Sequence, residues 1–264
     1  AFGRSTSASD MYQIYNLGVT NENVYTHELI DIIGHGRAKY MHHMTANWSP
    51  IGQEERNQLC FGVWGTVGTT GRWPQVVNMW EEAGFRGLGA GLGHETGTPS
   101  LQDAKLAKWW AEAANYRSGG LDRVLIPAPW SPTINELNAA GVRGDVYAHE
   151  TIEVPRGTAR EFLELVRAEG VPALGEHGLQ LVGAYRTSMR DDDECIVMWA
   201  IPTWSAWAEF ELAFDGGALD AWIQARRAAS TSYARFLMSD SPLSPLKLGR
   251  QPARSDRLDD YQDL

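Results

Sequence analysis

The chain of 264 residues is 43% hydrophobic and carries a formal net charge of −10. Such a length can bury one large or two small cores, and the acidic balance argues against nucleic acid or an anionic membrane as a partner, because both reward clustered Lys and Arg. Its two cysteines, Cys60 and Cys195, sit in strand-like runs without C-x-x-C spacing, so neither a disulfide framework nor a cysteine zinc site is suggested and a reducing compartment fits.

In chain order, residues 1–20 read as an N-terminal extension, Ala/Ser-rich at its start and lacking the hydrophobic region of a signal peptide. No apolar run reaches bilayer length, and the expectation is a cytoplasmic protein. Residues 24–32, VYTHELIDI, form a strand-like run that places His27 and Glu28 side by side. The run returns as VYAHETIEV at 146–154, where His149 and Glu150 stand 122 positions further on (149 − 27). The echo continues: GRAKYM at 36 with GTAREFL at 157, GVWGT at 62 with GAYRT at 183, VVNMW at 76 with CIVMW at 195, and RVLIPAPWSP at 123 with RFLMSDSPLSP at 235. A repeat of this length organises the whole chain.

Each copy reads as strand, amphipathic helix, two strands, helix and strand. The first copy predicts elements near 24–32, 36–48, 58–67, 75–82, 101–117 and 123–128; the second near 146–154, 158–171, 179–188, 194–201, 204–230 and 235–239. This is the β-α-β-β-α-β order of a ferredoxin-like unit, which covers one sheet face with helices and leaves the other in need of a partner. The expected fold class is α+β, with two tandem ferredoxin-like units forming an intrachain dimeric α+β barrel. The units span 21–128 and 146–245, joined by a linker at 129–145 that holds Pro129, Pro132 and Gly141. A polar tail at 246–264, expected to be poorly tied, follows. Homo-oligomers of such pseudo-dimers stay open.

The segment FLELVRAEGVPALGEHGLQLVGAYRT (162–187), followed by ECIVMWAIPTWSAWAEFE (194–211), resembles a NIPSNAP-type domain, through Pro172, His177-Gly178, Gly183 and Met198-Trp199-Ala200. That family is a branch of the dimeric α+β barrel superfamily, which includes the antibiotic-biosynthesis monooxygenases. The resemblance covers about 146–214 and is looser across the first copy. It implies the fold more strongly than an activity, since the superfamily hosts cofactor-free monooxygenases, isomerases, haem enzymes and regulatory binders. Members often begin with a Tyr-Glu-Leu-Arg-like strand, and here His149-Glu150 stands where Leu-Arg would be, so no role is carried over for that arginine.

Alternation along the first strand puts Val24, Thr26, Glu28, Ile30 and Ile32 on the face toward the helices, and Tyr25, His27, Leu29 and Asp31 on the other. His27 and His149 are then expected near the pseudo-two-fold axis. A carboxylate among apolar side chains either finds donors or has its pKa raised, and a raised pKa suits proton transfer. Aligning GRAKYM with GTAREFL sets His42 in the place of Leu163, facing the sheet, and His43 in the place of solvated Glu164; Asn78 replaces Val197. The first copy thus exchanges core positions for polar groups. The expectation is a small-molecule pocket in that unit, with His42 as acid/base, Glu28 as its partner, Asn78 as an orienting donor, and Trp64, Trp80 and His27 around a hydrophobic or aromatic ligand.

The glycine-rich insertion at 84–98 contains no dinucleotide or phosphate-loop register and is expected to be a loop or lid carrying His94 and Glu95. No metal set is apparent, and no cofactor is favoured. Haem stays open on the resemblance, with His42 as an axial candidate, although the helix at 204–230 has no histidine. The functional expectation is acid/base chemistry of an oxygenase, isomerase or lyase type. A haem enzyme or a non-catalytic ligand-binding module is the alternative.

Overall fold

The computed structural model describes residues 20–261. All but the last residue of the predicted N-terminal extension lies outside them. The described residues divide into two compact units, 22–126 with 236–261, and 127–235 with residues 20 and 21.

In the first unit the elements are β1 (Val24–Ile32), α1 (Arg37–His42), a π-helical segment (His43–Trp48), α2 (Ser49–Arg56), β2 (Leu59–Thr66), β3 (Gln75–Glu82), α3 (Gly84–Thr96), α4 (Ala107–Ala114) and β4 (Arg117–Pro127). β1 pairs antiparallel with both β3 and β4, and β3 pairs with β2, giving the order β2-β3-β1-β4 of a ferredoxin-like sheet. The strands form because β-branched and aromatic residues alternate across the pleat. Ile30, Ile32, Val63, Val76 and Trp80 then meet Tyr40, Met44, Trp48 and Ile51 from the helices in one buried cluster.

The second unit repeats the plan with α5 (Ile134–Ala140), β5 (Val146–Glu153), α6 (Ala159–Leu165), a π segment (Val166–Gly170), α7 (Val171–Gly175), β6 (Gln180–Thr187), β7 (Glu194–Ile201), α8 (Trp204–Asp215), α9 (Asp220–Ala229) and β8 (Ser232–Asp240). Its order is β6-β7-β5-β8. Residues 236–240 of β8 group with the first unit, where Thr66 pairs with Met238 and Trp64 with Asp240. The fold class is the dimeric α+β barrel class expected from the sequence.

Three expectations about elements change. The predicted linker holds a helix, α5, begun by a capping box in which the Thr133 side chain accepts from Glu136 N and the Glu136 carboxylate accepts from Thr133 N. The glycine-rich insertion is helical as α3: Leu88, Leu92 and Glu95 recur at helical spacing and line one cavity, with Leu88 buried. The tail is tied through residue 261. Arg254 forms a two-pronged pair with Glu54, Arg250 does so with Asp256, and the Gln251 side chain bonds both the N–H and the C=O of Cys60.

Both π segments end in the same way, with Pro50 opening α2 and Pro172 opening α7. Proline lacks the N–H that an α-helix would aim four residues back and crowds that carbonyl, so the turn widens. In the first unit the Ala46 carbonyl, four residues before Pro50, accepts from Arg257 Nε at 3.2 Å.

Candidate functional site

Between the sheet of the first unit and its helices lies a cavity of about 310 Å³. β1 contributes Thr26 and Glu28, β3 Trp80 and Glu82, β4 Arg117 and Asp122. The helical elements contribute Met44, Trp48, Arg56, Leu88, Leu92, Glu95, Trp109 and Trp110.

Glu28 stands at the centre of the sheet face because β1 alternates and its two neighbours are in register: Asn78 lies opposite it on β3 and Asp122 opposite it on β4. One oxygen, Oε2, accepts from Asn78 Nδ2 at 3.0 Å and from Trp80 Nε1 at 3.0 Å. Asn78 Nδ2 also donates to the Tyr40 hydroxyl at 2.9 Å. Oε1 has no donor among the described residues. Burial lifts the Glu28 pKa, the adjacent Asp122 lifts it further, and the bonds from Trp80 and Asn78 offset part of the rise. Asp122, though its side chain stays exposed at the rim of the cavity, is raised by the partial loss of water around it, against the pull of Arg117.

The equivalent group in the second unit is finished differently. Glu150 accepts from Trp199 Nε1 on Oε2 at 3.0 Å and from the Tyr233 hydroxyl on Oε1 at 2.6 Å. Both of its oxygens are occupied, and Val197 stands where the first unit has Asn78.

Several expected site residues lie elsewhere. His42 does not meet Glu28. It lines a second cavity of the same unit, about 590 Å³, with Lys39, Glu112, Tyr116 and Asp259, and its Nε2 lies 3.5 Å from Asp259 Oδ2 and 3.4 Å from Leu258 N. His43, expected to be solvated, is buried, stacked on Trp109 with ring centroids 5.0 Å apart; its Nε2 lies 3.1 Å from the Trp109 carbonyl and its Nδ1 3.1 Å from Asn47 Nδ2. The cause is one residue of helix register. The buried positions Tyr40 and Met44 answer Phe162 and Val166 at the 122-residue spacing of the strands and of Pro50 with Pro172, not at the spacing of 121 that aligns the two glycines. One residue is a 100° turn of the helix, enough to carry His42 off the sheet.

Trp64 and His27 are buried outside this cavity. Trp64 sits at ring-centroid distance 6.5 Å from Phe61, which packs on Tyr25, and Tyr25 and His27 share the pleat face opposite Glu28. Burial and the nearby Arg123 lower the His27 pKa to about 3. His94 turns outward, 2.8 Å from Asp103, while its neighbour Glu95 enters the cavity. Asn78 holds Glu28 in place. Trp80 both lines the cavity and holds Glu28. Asp122, Arg117, Glu82 and Arg56 were not anticipated. β4 begins at Arg117, and its glycines hid the strand: Gly120 lies so close to β1 that an added Cβ would meet the Leu29 carbonyl at 2.2 Å.

Haem needs an axial donor facing open volume. The Glu28 cavity has no histidine in its lining, and His42 directs Nε2 to the tail in the other cavity, so the donor set beside Glu28 does not fit haem. Among the described residues no three His, Cys, Asp or Glu side chains converge as a metal site, and no helix is long and apolar enough to cross a membrane.

No protein-family model matches the chain, and no curated protein matches it. Solved structures do. A candidate monooxygenase from Lactobacillus acidophilus NCFM superposes with a TM-score of 0.56 at 10% identity, covering 84% of this chain and 95% of that one. A second candidate monooxygenase, from Fusobacterium nucleatum subsp. nucleatum, gives 0.53 at 9% identity, covering 85% and 94%. A NIPSNAP family protein from Agrobacterium tumefaciens str. C58 is 20% identical over 35% of this chain and 89% of that one, with a TM-score of 0.30. The first two likenesses span nearly the whole of both chains and show the fold.

Proposed function

We propose that the first unit is the working half of an enzyme that moves a proton on a small hydrophobic or aromatic molecule held in the Glu28 cavity. The observation that carries this reading is the contrast between two equivalent glutamates: Glu150 has both oxygens bonded, whereas Glu28 takes both donors on Oε2 and keeps Oε1 for the cavity. A carboxyl group whose pKa is lifted by burial can hold and release a proton near neutrality.

In this reading Glu28 Oε1 accepts a proton from the ligand while Asn78 and Trp80 fix the other oxygen and with it the plane of the carboxyl. Asp122 is the second carboxyl available to that proton. Arg117, whose charge acts on both acids, faces the negative charge left on the ligand. Trp80, Trp109 and Trp110 supply flat apolar wall. Asp122 thereby takes the partner's role first expected of His42. Proton removal is a step shared by cofactor-independent oxygenases, isomerases and lyases, and the oxygenase type is the one named for the two solved chains of like fold. A binding module without turnover is the competing reading, favoured by the lack of an imidazole in the cavity.

The test is to incubate the protein in D2O with a panel of small aromatic and carbonyl compounds, following carbon-bound deuterium by mass spectrometry and oxygen uptake with an electrode. Wild type should exchange or oxidise at least one compound, Glu28→Gln should lose about a hundredfold in rate, and His42→Ala should keep it. An undiminished rate in Glu28→Gln overturns the assignment. Binding without exchange or uptake favours the module.

A further inference from the structure

The charge of the Glu28 cavity is unbalanced. Four carboxyl groups line it, Glu28, Glu82, Glu95 and Asp122, against two guanidinium groups, Arg56 and Arg117. Arg56 is already engaged, with Nη2 3.1 Å from Asp103 and Nη1 3.9 Å from Glu95. Glu82 is only 4% exposed, yet it lines the cavity with Gln58 bonded to Oε1 and no hydrogen-bond donor to Oε2 among the described residues. A carboxylate so deeply buried with an oxygen left open calls for a donor or a positive charge.

The walls point the same way. Arg117 lies over the Trp110 ring at 4.8 Å from its centroid, and Arg56 over Trp48 at 6.0 Å. Two of the four indoles in the lining therefore already carry a cation, while Trp80 and Trp109 carry none among the described residues. An indole face beside carboxyl groups is the surface that best receives an ammonium group, through the ring quadrupole and direct charge together.

We propose that the ligand of this cavity is a small aromatic or alkyl amine, bound as its cation, with the ammonium group among Glu28, Glu82 and Asp122 beside the Trp80 indole and the apolar body against Trp109. This rests on the reading of the Glu28 cavity as the working site and adds the charge of the ligand to it. Burial raises the Glu28 and Glu82 pKa values, so an arriving cation favours their ionised forms and binding releases protons.

Titration calorimetry of the full chain near neutral pH with 2-phenylethylamine, 2-phenylethanol and phenylacetate separates the outcomes, since the three share a ring and differ in charge. The amine should bind about tenfold tighter than the alcohol, with phenylacetate weakest. Repeating the amine titration in buffers of different ionisation enthalpy should show proton release. Glu82→Gln should weaken the amine and leave the alcohol unchanged; if that variant does not fold, Asp122→Asn serves in its place. An alcohol bound as tightly as the amine overturns the charge preference and leaves the cavity reading standing. Phenylacetate bound tightest overturns the charge preference too, and binding of none of the three overturns both.

Discussion

Trp80 Nε1 donates to Glu28 Oε2 at 3.0 Å, and one repeat later Trp199 Nε1 donates to Glu150 Oε2 at the same 3.0 Å. The shared bond shows that the two glutamates hold equivalent positions, and the second oxygen is where they differ. In the second unit Tyr233 closes it; in the first it is left to a cavity.

Glutamine substitutions should separate the two sites. In Glu150→Gln the new amide must turn its NH2 toward either Trp199 N–H or Tyr233 O–H, leaving one buried donor facing another. A loss of about 1–3 kcal/mol follows. In Glu28→Gln the amide oxygen can keep Asn78 and Trp80 while its NH2 faces the cavity, and the loss should stay below about 1 kcal/mol. Urea unfolding of the two variants measures the difference.

His43 ties stability to pH. Burial lowers its pKa to about 4 from the ordinary 6.5, against the carbonyl of Trp109 and the acids Glu112 and Asp259, which raise it. Between those values the unfolded chain binds a proton that the folded chain refuses. This contribution is therefore complete above pH 6.5 and is lost as pH falls toward 4. Wild type should lose about 2 kcal/mol more than His43→Leu between pH 7 and pH 4.5, by urea midpoints at each pH. His27, lowered to about 3, acts in the same sense in both proteins and cancels in the comparison.

Gly62 should tolerate no side chain. It follows a bulge in β2, and a Cβ there would lie 2.0 Å from the Trp64 indole; Gly183 follows the matching bulge in β6, with Tyr185 Oη equally close at 2.0 Å. A fully buried ring cannot yield by that much without displacing its neighbours. Gly62→Ala should cost about 2–3 kcal/mol or more, with Gly183→Ala comparable, while the exposed and uncrowded Gly89 should accept alanine without loss. Thermal unfolding of the three variants reads this directly.

The fold was legible because strands declare themselves by alternation and because the repeat showed the same alternation twice. Glu28 and Asn78 followed from strand parity alone, and parity has only two answers. The helix face was harder, since an error of one residue swings a side chain through 100°, and the matched glycines before α1 and α6 set the wrong phase. Pro50 and Pro172, which share the strand spacing, were the signal that would have set it correctly. Asp122 and Arg117 lay behind a run of Ser and Gly that reads as a turn, although the glycines are there to let β4 approach β1. The helical state of α3 was masked in the same way by glycine, despite Leu88, Leu92 and Glu95 at helical spacing.

Under the proposed function Glu28, and not His42, is the group that holds and gives up a proton in the cavity. Carbon-13 NMR of the protein labelled at glutamate side-chain carboxyls, titrated for wild type and Glu28→Gln, decides whether it does. The resonance lost in Glu28→Gln should titrate above the ordinary glutamate value of 4.5, and the stability of wild type relative to that variant should fall as pH rises from 4.5 through the raised value, because there the folded chain holds the proton that the unfolded chain has released. If the lost resonance titrates at or below 4.5, Glu28 is an ordinary paired carboxylate and the proton-transfer account fails.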